Sequence, residues 1–310
     1  MRPDARPSAS DFLLLHLIVL IWGVTAILGK LISLEPAVLT AWRTGLAALT
    51  LFVMVGFRRE KWPAPKDAGI MLATGLLIGL HWFLFFLSGR QGTVSGTLAG
   101  ASTMALWVAL LEPLLIRGRR WKWAEGCLAA GVTFGVLLLQ VRFDSSTGSL
   151  TVGDGRPLSG NGLFTAIWAA GVAALFSIIN GRLIQKHPAL VITAFEMTSA
   201  CALCAAGSWL LAPPGGPVWW PAPSDWFWIL TLSLVCTVFA YSACVAVQRR
   251  LSTFSLGITS TLEPVYGMVL APLVFGVVEH QSLWFYAGTA VIIGCVVAHT
   301  VAARQERRGP

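Results

Sequence analysis

Thr259-Ser260-Thr261-Leu262-Glu263-Pro264-Val265-Tyr266-Gly267 lies inside an apolar run from about Thr253 to Phe275. A run of that length can cross a bilayer as a helix. Near its middle a carboxylate stands beside a helix-breaking proline. An ionised Glu at mid-bilayer costs at least ~2.5 kcal/mol unless it faces protein or water. Pro264 has no N–H, so the carbonyl of Ser260 loses its usual helical partner. Freed backbone groups at that depth persist only where protein or a polar cavity satisfies them. The stretch therefore reads as the lining of a polar cavity that other helices close around. The alternative is a structural Glu263 bonded to a neighbouring helix.

Composition sets the frame. Of 310 residues 56% are hydrophobic and 12% charged, with mean hydropathy +0.73. Soluble domains carry about 25% charged residues, so the chain reads as a multi-pass protein of the cell (inner) membrane. Ten segments are long enough to span: Phe12–Leu31, Ala37–Phe57, Asp67–Gly89, Val94–Ile116, Trp123–Val141, Gly162–Ile184, Leu190–Leu211, Trp226–Val247, Thr253–Phe275 and Leu283–Ala302. The first follows Arg2 and Arg6 and is too long for a secretory signal, so it reads as a retained helix. All six cysteines lie in apolar runs and read as packing residues. Cys201 and Cys204 have CxxC spacing, but no second Cys/His pair follows to complete a metal site.

The net charge of +8 is not a nucleic-acid signal, because the basic residues fall in short clusters between apolar runs. With a cytoplasmic N-terminus, 17 of the 22 Lys and Arg lie inside. Four lie outside (Lys30, Arg90, Arg142, Arg156), and Arg43 lies within a span. The positive-inside rule then places both termini in the cytoplasm. The longest external connection, Arg142–Asn161, is Ser/Thr/Gly-rich and reads as a partly disordered linker. A second, Ala212–Ser224, breaks any helix with its prolines and glycines, and its Trp219-Trp220 pair suits the outer headgroup level.

The second half echoes the first. Gly29-Lys30 and Pro36 recur as Gly181-Arg182 and Pro188, Asp67 as Asp225, and Thr93-x-Ser95 as Thr253-x-Ser255. Two units follow, 12–141 and 162–302, joined by the 142–161 linker. Each has five spans, an odd number, so the halves should insert in opposite directions, with a site between them at mid-membrane.

These features resemble the drug/metabolite transporter superfamily, in particular its EamA-type ten-helix members. The likeness rests on Trp22-Gly23, on Pro36 followed by Arg43, on Leu262 to Gly267, and on Gly276-Val-Val-Glu279. It covers nearly the whole chain. In the first half Met104 stands where the family pattern often has a proline matching Pro264. The resemblance implies an all-α fold of a 5+5 inverted repeat. It also implies a central cavity lined by segments 3, 4, 8 and 9 among others, and export of small metabolites, typically amino acids and related compounds.

Several residues could carry such transport. Arg43 lies seven residues past Pro36, about 10 Å along a helix. It reads either as a fork for a carboxylate or as half of an ion pair. Glu263 and His81 are the candidates for proton coupling, and a backbone-bonded His81 is the plainer alternative. Glu196 sits about as deep as Arg43 from the opposite face and reads as a structural partner or helix glue. Trp82, Phe86, Trp107, Phe239, Tyr241 and Tyr266 would suit an apolar or aromatic substrate, with Ser102, Thr103 and Thr259 as polar contacts. Pro264, Gly267, Gly96 and Gly100 would let helices bend or pack closely, and Glu112 would sit at the inner mouth. No P-loop, HExxH or GxSxG stands at a usable position. The expectation is a secondary transporter rather than an enzyme, without cofactor or metal, acting on a small-molecule substrate as a monomer or homodimer. The alternatives are a sugar-phosphate or nucleotide-sugar transporter, or a membrane enzyme or assembly factor acting on lipid-linked substrates.

Overall fold

The computed structural model describes residues 8–92, 94–139, 141–144, 149–152, 162–212, 214–267, 270 and 283–305. Helix α1 (Ala9–Leu31) starts at a capping box: Ser8 accepts from the Asp11 amide while Asp11 accepts from the Ser8 amide. Helices α2 (Pro36–Phe57) and α3 (Pro65–Gln91) each begin on a proline, whose missing N–H costs nothing in the first turn. The fourth segment holds α4 (Val94–Ala101) and α5 (Met104–Leu115), separated by a turn at 102–103. Then comes α6 (Trp123–Leu139).

The second half repeats the order with α7 (Gly162–Leu183) and α8 (Ala189–Leu210). The next span holds α9 (Asp225–Leu230), a π-helical stretch (Thr231–Phe239) and α10 (Ala240–Val247). The ninth segment holds α11 (Thr253–Ser260), a turn at 261–262 and further helix over 263–267. Its far end, with the Gly276–Glu279 motif, lies outside the described residues. The last helix is α12 (Leu283–Gln305). Among the described residues seven helical stretches are long and apolar enough to cross a membrane, counting Gly96–Leu115 and Asp225–Val247 as one each, and two further apolar helical stretches are shorter, over Trp123–Leu139 and Tyr286–His299.

The 142–161 linker begins with a short hairpin set into an otherwise helical fold. Strands β1 (Val141–Asp144) and β2 (Ser149–Val152) pair antiparallel, with Val141 opposite Val152. Val141 was assigned to the fifth segment, but that helix stops at Leu139. Alternating Val141/Phe143 and Leu150/Val152 carry a strand period that a window tuned to long apolar runs averages away.

The two halves interlock: α2 packs on α8, and α3 on α7 and α8. Close approach is built into the sequence. A Cβ on Gly75 would lie 2.2 Å from the Glu196 carbonyl oxygen, and one on Gly100 would lie 2.4 Å from the Ala166 Cβ. Bonds between helix ends show which ends share a face. Arg90, at the end of α3, donates to the carbonyls of Ile32 (2.5 Å) and Leu34 (2.9 Å), just past α1. Asp225, opening α9, accepts from the Ser33 hydroxyl at 2.5 Å on the same face.

The opposite face carries a matching set. Arg249, just past α10, donates to the carbonyls of Ile184 (2.9 Å) and His187 (3.1 Å), just past α7. Asp67, in the first turn of α3, pairs with His187 Nε2 at 2.9 Å. Each arginine thus satisfies carbonyls just past a helix C-terminus, where a positive charge also suits the helix dipole. The second face is closed further by Arg250, whose Nε donates to both oxygens of the buried Asp11 carboxylate at 2.9 and 3.0 Å. Those bonds raise the Arg250 pKa above its ordinary value.

Candidate functional site

Among the described residues an interior cavity is bordered by α1, α2, α3, the fourth segment, α7, α10 and the ninth segment. Trp22, Arg43, His81, Trp82, Tyr241 and Glu263 all line it. Its volume is about 80 Å³ for the centres of water-sized spheres, room for several waters. Drug-sized ligand pockets are larger, about 300–1,000 Å³, so a substrate of more than a few atoms would have to widen it.

Arg43 is 2% exposed and is among the largest fully buried side chains. Its guanidinium carbon stands 3.9 Å from the centroid of the Trp82 ring, a cation–π contact. Its Nε donates to Thr237 Oγ1 at 2.7 Å. No carboxylate among the described residues lies within ion-pair reach of it. Thr237 owes its position to the π-helical stretch: its hydroxyl donates five residues back, to the Leu232 carbonyl at 2.8 Å, while accepting from Arg43. The same stretch presents the Cys236 carbonyl to Trp22 Nε1 at 3.3 Å.

Glu263 forms no hydrogen bond or ion pair with any described residue, and it borders the cavity. It follows directly on the turn at 261–262. There the Thr261 hydroxyl donates to the Ile258 carbonyl at 2.5 Å. The fourth segment breaks at the matching place although no proline stands there, its Pro113 lying further on inside α5. Thr103 donates to the Gly100 carbonyl at 2.7 Å, again three residues back. Thr103 and Thr261 have nearly the same backbone angles, φ −69° ψ −3° and φ −66° ψ −7°. In both, a threonine hydroxyl donates to the carbonyl three residues back, and the Gly100 carbonyl also accepts from the Thr103 amide at 3.1 Å.

His81 lines the cavity with its Nδ1 2.8 Å from the Ala169 carbonyl. A carbonyl only accepts, so Nδ1 carries the proton and Nε2 is left as the acceptor nitrogen. Tyr241 links the cavity to a buried carboxylate. Its hydroxyl donates to Glu196 Oε2 at 3.1 Å and accepts from Asn180 Nδ2 at 2.9 Å. Glu196 is fully buried, does not line the cavity, and leaves Oε1 without a partner among the described residues.

The structure does not bring every expected residue to this place. Ser102, Thr103 and Thr259 bond carbonyls of their own helices and do not line the cavity. Trp107 stacks on Trp168 and covers Gly171. Tyr266 and Gly267 pack on Gly23, and Gly100 packs on α7. Phe239 is 47% exposed and points outward, while Phe86 is buried with its centroid 5.8 Å from the Arg43 guanidinium carbon. Pro264 and Gly96 do not border the cavity. Glu112 pairs with Arg119 at 3.2 Å near the end of α5, away from the cavity. Sequence reasoning missed Asn180, Thr237, Ser177 and Gln248. Each is polar within or beside an apolar run, and that was the available signal.

A polytopic helical bundle enclosing a chamber bordered by Arg43, His81 and Glu263 is the frame of a membrane transporter. The chain belongs to the EamA-like transporter family, whose family model matches it twice, over residues 10–141 and 160–299. That family is part of the drug/metabolite transporter superfamily. Among solved structures, one described only as "Crystal structure of protein" is similar with a TM-score of 0.74 at 20% sequence identity, covering 96% of this chain and 99% of that chain. At that identity the likeness speaks for the fold alone. No curated protein matches.

Proposed function

We propose that the protein is a secondary transporter that exports a small polar or amphipathic metabolite, amino-acid-like in its charges, by alternating access. One observation carries this reading. Arg43 and Glu263 border the same interior cavity, and neither forms an ion pair with a described residue. A buried cation without a partner is costly, and a zwitterionic ligand would supply a counter-charge to Arg43 and to Glu263 when that carboxyl is ionised. The carboxylate would meet the planar guanidinium, the ammonium would meet Glu263, and Trp82, Phe176 and Tyr241 would border the side chain. A sugar-phosphate substrate would want several cations, and among the described residues Arg43 is the one Lys or Arg on the cavity lining.

In this reading the halves insert oppositely into the inner membrane, with both termini in the cytoplasm. The paired family matches, the paired helix breaks and the matching clasps on opposite faces support it. Broken helices at corresponding places in two repeats are where transporters of this architecture hold substrate. Glu263 would carry the coupling proton.

The test is counterflow of amino-acid-like substrates in proteoliposomes. Wild-type exchange is expected to vary with pH, and Glu263→Gln is expected to exchange at a rate that no longer does. A Glu263→Gln variant with the wild-type pH profile would remove Glu263 from coupling. Absence of exchange for every zwitterion tried would sink the substrate assignment.

A further inference from the structure

Two grooves open at the face that carries Asp67 and Arg249. One, about 540 Å³, runs between α2, α8 and α10. Arg58, Arg249 and Arg250 border it, but two of these are engaged: Arg249 by the carbonyls past α7 and Arg250 by Asp11. Glu60 shares that rim. The other groove, about 620 Å³, lies between the start of α3, the end of α5 and the end of α7.

The second groove is chemically different. Lys66, Arg182 and Lys186 stand at its rim, all exposed. Arg182 gives one terminal nitrogen to the Leu115 carbonyl at 2.7 Å. The side-chain ammonium groups of Lys66 and Lys186 bond no described residue. The one carboxylate there, Asp67, is already held by His187. Beneath this rim the wall is aliphatic, with Ile70, Leu175 and Ile179. Ile70 is 37% exposed, on a helix whose outward side meets lipid.

We propose that this groove binds an anionic phospholipid. The phosphate sits among Lys66, Lys186 and Arg182, and one acyl chain lies along Ile70, Leu175 and Ile179. Under the charge rule this is the cytoplasmic face, where basic pockets between spanning helices take anionic headgroups. A soluble anion would have no use for the aliphatic wall. Lys66 belongs to the first half and Lys186 to the second, so the bound lipid bridges the halves beside the Asp67–His187 bond. Anionic lipid would then favour the arrangement in which this face is shut.

The experiment uses the full chain in detergent, exchanged into an equimolar mixture of phosphatidylglycerol and phosphatidylcholine with matched acyl chains. Native mass spectrometry reads the retained lipid. Phosphatidylglycerol is expected to be retained about thirtyfold over phosphatidylcholine, the order that two surface lysines supply. The double variant Lys66→Gln/Lys186→Gln is expected to fall to about twofold or less, and Arg58→Gln is expected to retain the wild-type preference. Should the double variant fail to fold, Lys66→Gln alone is expected to give an intermediate preference. Equal retention of both lipids, or a preference that the lysine variants leave unmoved, overturns the proposal. Release of bound lipid by millimolar inorganic phosphate overturns it too, in favour of a soluble-anion site. The assay reads no transport, so its failure would leave the functional proposal standing.

Discussion

Arg43 is held by two contacts that reward its shape as much as its charge: the Trp82 face and the Thr237 hydroxyl. A desolvated cation–π contact contributes about 2 kcal/mol, and lysine can neither stack as a plane nor keep the Nε bond. Arg43→Lys should therefore raise the substrate KM by about tenfold while the protein still folds. Arg43→Gln should abolish saturable exchange. Equal kinetics for Arg43→Lys and wild type would show that the guanidinium plane has no role. The depth of Arg43 was legible from its spacing past Pro36. The absence of a carboxylate partner was not, because pairing depends on which helix faces which. Glu196 illustrates the same limit. Its depth matched that of Arg43, yet the structure joins it to Tyr241 and Asn180, outside the cavity lining.

At the scale of elements, the break in the ninth segment could be anticipated from Pro264, and the break in the fourth could not. Met104 supplies no missing donor. What opens that helix is Thr103, whose hydroxyl holds the Gly100 carbonyl just as Thr261 holds that of Ile258. Threonines are too common in spanning helices for one to be read as a break. The π-helical stretch over Thr231–Phe239 was invisible for the same reason, since its residues are ordinary helix occupants. These breaks make two predictions. Thr103→Val and Thr261→Val keep the side-chain shape but remove the donor, so each should lower stability by about 1 kcal/mol, read as a drop in melting temperature in detergent. Pro264→Ala restores a donor for the Ser260 carbonyl. It should leave the melting temperature equal or higher while the exchange rate falls. A variant both more stable and equally fast would show that the break is not needed for transport.

For the whole molecule, composition and the offsets between repeated motifs made the duplication legible, whereas the contacts between the halves depend on which ends meet across them. Asp67 and Asp225 were recognised as repeat partners, and the structure gives each a role across the interface. Asp225 of the second half holds Ser33 of the first, and Asp67 of the first half holds His187 of the second, at the opposite face. If the halves rock about the central cavity, releasing one bond should favour opening at that face alone. Losing a charge-assisted hydrogen bond is worth about 1.5–3 kcal/mol, enough to shift a two-state equilibrium by about tenfold or more. Asp225→Asn and Asp67→Asn should therefore push the protein in opposite directions. A single cysteine placed at Ser177 on the cavity lining in a background without the six native cysteines reads this out. In sealed vesicles of known orientation, its labelling by a charged maleimide should rise from the Ser33 face in Asp225→Asn and from the His187 face in Asp67→Asn. A rise from the same face in both variants would be incompatible with two oppositely inserted halves sharing one chamber.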